Sequence, residues 1–193
     1  MENKSGTKNQ ILTIPNVLSL FRVALIPLIV WAYCGLDNPY LALSLIILSA
    51  LTDIVDGFIA RKFNMVSDFG KILDPIADKL TQGTVTICLT LKYRLMHVLV
   101  ILFIVKEILM GIMGAITLKR YGEVNSAKWY GKVNTIVLYA VIMALVIFPN
   151  INVTLANALI WLCMAIMVLS LLLYVRFYLK IWKGKTQNER KNQ

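Results

Sequence analysis

Four aspartates stand at helical spacing in the middle of the chain. Asp53 and Asp56 are three positions apart, and Asp74 and Asp78 are four apart, so each pair shares one face of its helix. The residues around both pairs are mostly apolar, and carboxylates there are costly to bury and repel one another. The spacing therefore predicts that two facing helices present four carboxylates to bound cations.

The side-chain types indicate which cations these are. Neither cysteine nor histidine lies near the aspartates, and oxygen-only ligands favour Mg²⁺ or Mn²⁺ over zinc. Four carboxylates can hold two such ions, an arrangement that stabilises the attacking and leaving oxygens of a displacement at phosphorus. The sequence thus predicts two divalent ions and a ligand that carries a phosphate or diphosphate.

Small residues continue the acidic faces. Gly57 and Ala60 follow the first pair, and Gly70 precedes the second, so helix backbones can approach each other or a bulky head group. Arg61 stands beside Ala60, where its guanidinium can pair with a phosphate or a carboxylate. Two other interpretations remain: a D-x-x-D pair on a solvated helix face, and a proton or cation path in a transporter.

The composition identifies the solvent that must surround these helices. Of 193 residues, 59% are hydrophobic and 16% charged, and the mean hydropathy is +0.72. Soluble domains have about 45–50% apolar and about 25% charged residues, so this chain is not one of them. The formal net charge of +10 lies in short clusters between apolar runs, a pattern typical of membrane flanks rather than of nucleic-acid binding.

Six apolar runs separated by short polar turns predict an all-α integral membrane protein with six transmembrane helices. No linker divides the chain, which we interpret as a single membrane domain over 1–193. It comprises a polar segment at 1–13, a six-helix core at 14–181 and a basic tail at 182–193. The runs cover about 14–34, 40–62, 71–92, 96–118, 130–148 and 153–181.

The basic residues predict the orientation. All of them except Lys92, Arg94 and Lys106 belong to the termini and to alternate turns on one side of the predicted bundle. Because lysine and arginine accumulate on the cytoplasmic side of membrane proteins, we expect both termini in the cytoplasm of a multi-pass cell-membrane protein. The four aspartates would then face the cytoplasm.

Two lysines suggest contacts with an anionic substrate. Lys106 lies inside the fourth apolar run beside Glu107, and Lys132 lies at the start of the fifth. A lysine in a membrane helix is costly unless it is paired. We expect Lys106 and Lys132 to bind the acceptor, although Lys106 can instead extend toward the interface or pair with one of the four aspartates.

The segment from Asp53 to Asp78 resembles the signature of the CDP-alcohol phosphatidyltransferase family, D-x-x-D-G-x-x-A-R-x8-G-x3-D-x3-D, and every defining position is filled. The run Ile14–Arg22 also resembles the start of bacterial phosphatidylglycerophosphate synthases and of cardiolipin synthases in this superfamily. The resemblance covers roughly residues 12–135. A membrane prenyltransferase also pairs aspartate-rich helices with Mg²⁺ and diphosphate, but its pattern lacks the G-x-x-A-R continuation.

The resemblance implies a six-helix fold, commonly a homodimer, with a cytoplasm-facing cavity for CDP-diacylglycerol. It implies transfer of the phosphatidyl group to an alcohol, with release of CMP and the help of two divalent ions, Mg²⁺ or Mn²⁺. The implied metal ligands are Asp53, Asp56, Asp74 and Asp78, and Asp78 is also the implied catalytic base. The implied CDP-diacylglycerol contacts are Gly57, Ala60, Arg61 and Gly70.

The acceptor is where the resemblance is imperfect. In the pattern of the phosphatidylglycerophosphate synthases that this chain resembles, Arg-Glu stands where this chain has Lys106-Glu107. That pattern also has Gly-Lys-x-Lys-Thr, and this chain has Asn134 in place of the second lysine. Both changes weaken phosphate binding, since lysine cannot form the two parallel hydrogen bonds of an arginine and asparagine carries no positive charge. We favour glycerol 3-phosphate, with phosphatidylglycerol, the acceptor of cardiolipin synthases, as the alternative. A non-enzymatic ion or lipid transporter is the alternative from another class.

Overall fold

The computed structural model describes residues 13–63, 70–121 and 129–191, and within these ranges all regular structure is helical. This confirms the prediction of an all-α chain. A π-helical turn, Trp31–Gly35, extends the first helix. The helices are α1 Ile14–Val30, α2 Pro39–Lys62, α3 Gly70–Leu89, α4 Met96–Tyr121, α5 Trp129–Ile147 and α6 Val153–Lys191.

Local capping signals determine where α1 and α2 begin. The Thr13 side chain accepts a hydrogen bond from the backbone N–H of Asn16 at 3.4 Å, and Pro15 occupies the first turn of α1. Asn38 caps α2 in the same way, by accepting from the N–H of Leu41 at 3.0 Å. These side chains satisfy amide groups that the first turn of a helix leaves without partners. These two caps fix the starts of α1 at Ile14 and of α2 at Pro39.

Five helices in the described part of the chain are long and apolar enough to cross a membrane: α1 with its π-helical turn, α2, α4, α5 and α6. Helix α3 is not among them. Asp74, Asp78 and Lys79 fall within any 18-residue stretch of α3, which lowers its hydropathy. A sixth crossing by α3 stays a prediction.

The first of two compact units comprises the described residues up to Leu91, together with Met143–Pro149. Within it, α1 packs against both α2 and α3. The buried residues Leu25 and Ile29 of α1 and Ala77 of α3 belong to its core. Helix α1 thus contacts both helices that carry the signature aspartates, a position that the sequence analysis does not assign to it.

The second compact unit comprises the described residues of 92–142 and those from Asn150 onward, and in it α4 packs against α6. Trp182 on α6 donates from its ring nitrogen to the hydroxyl oxygen of Thr117 on α4 at 3.0 Å. Near the start of α5, Tyr130 packs edge-on against Tyr174, with 4.5 Å between ring centroids. Helix α6 continues beyond the predicted core boundary at 181 and reaches Lys191.

Gly131 on α5 is a position where a side chain has no room. A Cβ atom built there would overlap the Tyr174 hydroxyl and lie 3.0–3.1 Å from its ring carbons, whereas a Cβ at Gly111 on α4 would meet nothing within 4 Å. We predict that Gly131→Ala lowers the stability by about 1–3 kcal/mol through overpacking. Gly111→Ala should be neutral or gain up to about 1 kcal/mol from helix propensity. Thermal unfolding of both variants in one detergent tests this, and equal midpoints would contradict it.

Candidate active site

A buried arginine of α1 lies among the aspartates of α2 and α3. Only 2% of the Arg22 side chain is exposed. Its Nη1 atom lies 2.5 Å from Oδ1 of Asp53, and its Nη2 atom lies 2.9 Å from Oδ2 of Asp56 and 3.8 Å from Oδ1 of Asp74. The structure therefore brings three of the four signature aspartates to one cationic group contributed by a third helix.

The negative charge at this place exceeds the positive charge of Arg22. Asp53 is close enough to Asp74 and Asp78 for their charges to interact, and Asp56 likewise interacts with Asp53 and Asp74. One guanidinium thus lies among three carboxylates, and Asp78 adds negative charge near Asp53. Asp56 is buried, whereas the Asp53 and Asp74 side chains are 50% and 40% exposed. The group is open on one side and would be stabilised by further positive charge.

Ser19, one turn before Arg22, adds a polar contact from α1. Its hydroxyl lies in hydrogen-bonding contact with the carboxylate of Asp74 and 3.0 Å from the carbonyl oxygen of Pro15. A hydroxyl has one proton, so it donates to one of these acceptors at a time. Arg22 Nη2 donates to the same hydroxyl oxygen at 3.5 Å. Helix α1 therefore holds Asp74 through both Ser19 and Arg22.

Ser19 and Arg22 are not among the site residues predicted from sequence. Arg22 is one of the basic residues that indicate orientation, and both belong to the segment that carries the amino-terminal resemblance. The available signal was an arginine inside an apolar run with a serine three positions earlier on the same helix face. A buried arginine requires carboxylate partners, but the spacing alone does not say which carboxylates these are.

The face of α3 that carries the aspartates continues with a buried glutamine. Asp78 is half-buried, and Gln82, one turn later, is 1% exposed. The side-chain oxygen of Gln82 accepts from Lys79 at 3.3 Å, while its Nε2 atom has no hydrogen-bond partner. Gln82 is thus a buried polar residue on this face that was not predicted from sequence.

The residues predicted to contact CDP-diacylglycerol follow the same two helices. Gly57 and Ala60 are half-buried on α2, and Gly70 is buried at the start of α3. Arg61 belongs to the last turn of α2, and its side chain lies outside what the structure describes. Contacts of these residues with a cytidine diphosphate stay predictions.

The two predicted acceptor lysines belong to the second unit. Lys106 is buried on α4 and donates to the carboxylate of Glu107 at 2.8 Å, so the next residue supplies the pairing that a lysine in a membrane helix requires. Lys132 is exposed in the first turn of α5. Asn134, two residues later, is buried, and its Oδ1 atom has no hydrogen-bond partner. Binding of an acceptor by these lysines stays a prediction.

The carboxylate oxygens around Arg22 are suitable ligands for the divalent ions that the signature implies. Asp53, Asp56 and Asp74 contribute carboxylate oxygens, which Mg²⁺ and Mn²⁺ prefer, and all three already surround one cationic group. Among the described residues, no three acidic, histidine or cysteine side chains are arranged closely enough to form a cation cage. The aspartates are arranged instead around the larger guanidinium.

Comparisons with known proteins agree with the signature. The profile of the CDP-alcohol phosphatidyltransferase family matches residues 12–173. The CDP-diacylglycerol–glycerol-3-phosphate 3-phosphatidyltransferase of Rickettsia bellii is 41% identical over 101 residues, which are 51% of this chain and 55% of that protein. The enzyme of the same name from Aquifex aeolicus is 40% identical over 112 residues, 56% of this chain and 62% of that protein.

A second kind of relative is also similar. The cardiolipin synthase (CMP-forming) of Streptomyces coelicolor is 34% identical over 119 residues, which are 59% of this chain and 55% of that protein. The chain thus spans about half the length of the curated relatives it matches. Because the family profile covers most of the chain, including all four signature aspartates, this protein belongs to the CDP-alcohol phosphatidyltransferase family.

Proposed function

We propose that this protein transfers the phosphatidyl group of CDP-diacylglycerol to a hydroxyl of glycerol 3-phosphate, giving phosphatidylglycerophosphate and CMP. The observation that carries this proposal is the convergence of Asp53, Asp56 and Asp74 from two helices at one buried cation. The names of the Rickettsia bellii and Aquifex aeolicus relatives support this choice of donor and acceptor.

Asp53, Asp56, Asp74 and Asp78 would hold two divalent ions. When bound, such ions neutralise the diphosphate and make CMP a competent leaving group. Asp78 lies one helical turn beyond Asp74 and is half-buried. It accepts the proton of the acceptor hydroxyl as that oxygen bonds to the β-phosphorus, and the bond between this phosphorus and the oxygen of CMP breaks.

The glycines on the acidic helices support binding of the nucleotide. Gly57 and Gly70 lack side chains, and Ala60 carries only a methyl group, so the backbones of α2 and α3 can contact the cytidine diphosphate closely. Arg61 would pair with a phosphate through its planar fork. Lys106 and Lys132 would bind the phosphate of glycerol 3-phosphate.

The proposed reaction also needs a defined membrane arrangement. We propose six transmembrane helices, both termini in the cytoplasm, an active site that faces the cytoplasm and a homodimer in the cell membrane. The five apolar helices and the one-sided distribution of basic residues support this arrangement. A cytoplasmic site would receive the water-soluble acceptor directly.

Phosphatidylglycerol is the second candidate acceptor, which would make the protein a cardiolipin synthase. The observation that favours it is Asn134, a buried neutral side chain with an unpartnered oxygen where the resemblance to phosphatidylglycerophosphate synthases calls for a lysine. The Streptomyces coelicolor relative carries the cardiolipin synthase name. Fewer cations at the acceptor position suit a less charged acceptor.

The acceptor is tested by offering purified protein CDP-diacylglycerol with glycerol 3-phosphate, phosphatidylglycerol, inositol phosphate or serine, each alone. We expect the fastest CMP release with glycerol 3-phosphate, loss of release on chelation, and recovery with Mg²⁺ or Mn²⁺. Faster release with phosphatidylglycerol would instead support the cardiolipin synthase alternative. No CMP with any acceptor would reject the proposed enzymatic function and favour a transporter.

The role of Asp78 is tested by Asp78→Asn, which keeps the size of the side chain but removes the base. We expect activity to fall by at least ~100-fold while the protein still inserts and folds. Asp37→Asn is the matched control, because Asp37 lies in an exposed turn with φ of 48°, which asparagine tolerates. Near-normal turnover in Asp78→Asn would reject the assigned role.

The role of Lys106 is tested by comparing apparent KM values for the two substrates. We expect Lys106→Ala to raise the KM for glycerol 3-phosphate at least ~10-fold more than the KM for CDP-diacylglycerol, because it removes a cation from the acceptor position. Lys106→Arg retains the charge and should restore the acceptor KM. Lys180→Ala, at an exposed position of α6, is the control. Equal effects on both substrates would count against an acceptor contact.

A further inference from the structure

Arg22 occupies the place among the aspartates where positive charge is needed. We propose that Arg22 is an internal counter-ion that neutralises Asp53, Asp56 and Asp74 when no divalent ion is bound, and that divalent ions displace its guanidinium. The inference rests on the proposed metal site and does not depend on which alcohol is the acceptor.

The contacts of Arg22 are divided among its partners. An arginine that serves one carboxylate commonly pairs with it through two parallel hydrogen bonds. Here Nη1 contacts Asp53, Nη2 contacts Asp56 and is near Asp74, and the buried Nε atom has no hydrogen-bond partner. The guanidinium therefore lies between carboxylates of two helices and is not paired with a single carboxylate. A metal ion that these carboxylates shared would also lie between them.

Arg22 and a divalent ion would compete for the negative charge of the same three carboxylates. Nitrogen–oxygen distances at Arg22 run from 2.5 to 3.8 Å, whereas oxygens bind Mg²⁺ at about 2.0–2.1 Å. The carboxylates would have to close around a smaller ion with twice the charge, and that ion would repel the guanidinium. This repulsion and the required closure of the carboxylates favour displacement of Arg22 over simultaneous binding.

A displaced guanidinium needs a new anionic partner. The diphosphate of the proposed substrate supplies that chemistry, and arginine binds phosphate oxygens through its planar fork. The exposed sides of Asp53 and Asp74 show that the cluster opens in at least one direction. Exchange from carboxylate to phosphate would keep Arg22 paired throughout, which a buried charge requires.

The competing interpretation is a permanent structural ion pair. In that case Arg22 would keep its aspartate contacts in the metal-loaded protein, and its removal would destabilise the metal-free and metal-loaded forms equally. An exchanging counter-ion behaves differently, because its loss matters most when no metal is present. The two interpretations are therefore separable without measuring activity.

The experiment compares full-length wild type, Arg22→Gln and Arg176→Gln after removal of metal with EDTA. Arg176 lies on an exposed position of α6 and is the matched control. Mn²⁺ binding is followed by electron paramagnetic resonance, and thermal unfolding is measured in EDTA and in saturating Mn²⁺. Both readouts are independent of turnover.

We expect Arg22→Gln to bind Mn²⁺ at least tenfold more tightly than wild type, because it removes the competing cation. Its thermal midpoint should fall by about 4 °C or more in EDTA and recover to the wild-type value in Mn²⁺. Arg176→Gln should match wild type in both measurements. An equal loss of stability with and without Mn²⁺, or an unchanged Mn²⁺ affinity, would overturn the inference.

Arg22→Lys provides the second variant if the glutamine variant does not fold without metal. Lysine keeps the charge but cannot contact Asp53 and Asp56 through a rigid fork. It should fold and bind Mn²⁺ at least threefold more tightly than wild type, and wild-type affinity would overturn the inference. If wild type binds no Mn²⁺, the proposed metal site and the inference both fall; if wild type binds but the Arg22 variants bind identically, only the inference falls.

Discussion

The ionic contacts of Arg22 with Asp53, Asp56 and Asp74 link three helices of the first unit. A buried guanidinium is strongly unfavourable without carboxylate partners, and carboxylates crowded in an apolar environment are unfavourable without a cation. Each group therefore requires the others. This mutual compensation adds to the apolar contacts by which α1, a helix with a single arginine, packs against both acidic helices.

The same charge balance connects the fold to the proposed chemistry. A phosphatidyl transfer needs positive charge beside a diphosphate and a base beside the attacking hydroxyl. Four carboxylates with one resident cation retain an excess of negative charge, which favours the binding of divalent ions. Ser19 and Arg22 of α1 contact Asp74 of α3, which the family signature implies as a metal ligand. Helix α1 would therefore orient this carboxylate.

In the second unit, a buried charge is compensated by a residue that is adjacent in sequence. Buried Lys106 is paired with the adjacent Glu107, and Trp182 donates to Thr117 across α4 and α6. Gly131 allows close approach of the Tyr174 hydroxyl, which gives this glycine a packing role beside the lysine predicted to bind the acceptor. The unpartnered oxygen of Asn134 is the feature here that bears most directly on the choice of acceptor.

Local features of the chain were enough to predict the helices, the family and the acidic positions. Apolar runs and the spacing of the four aspartates act over a few residues, so they can be read without a fold. Helix α3 is the exception among the predicted spans, because its charged residues make hydropathy alone insufficient to identify a crossing.

The partners of the buried charges emerged only from the packing of the helices. Arg22 and Asp74 are far apart in sequence, and nothing in either segment says that a guanidinium of α1 lies between the carboxylates of α2 and α3. Likewise, the sequence led us to consider a signature aspartate as a partner of Lys106, whereas the structure pairs this lysine with Glu107. A buried charge must be compensated wherever it lies, but three-dimensional proximity decides which group compensates it.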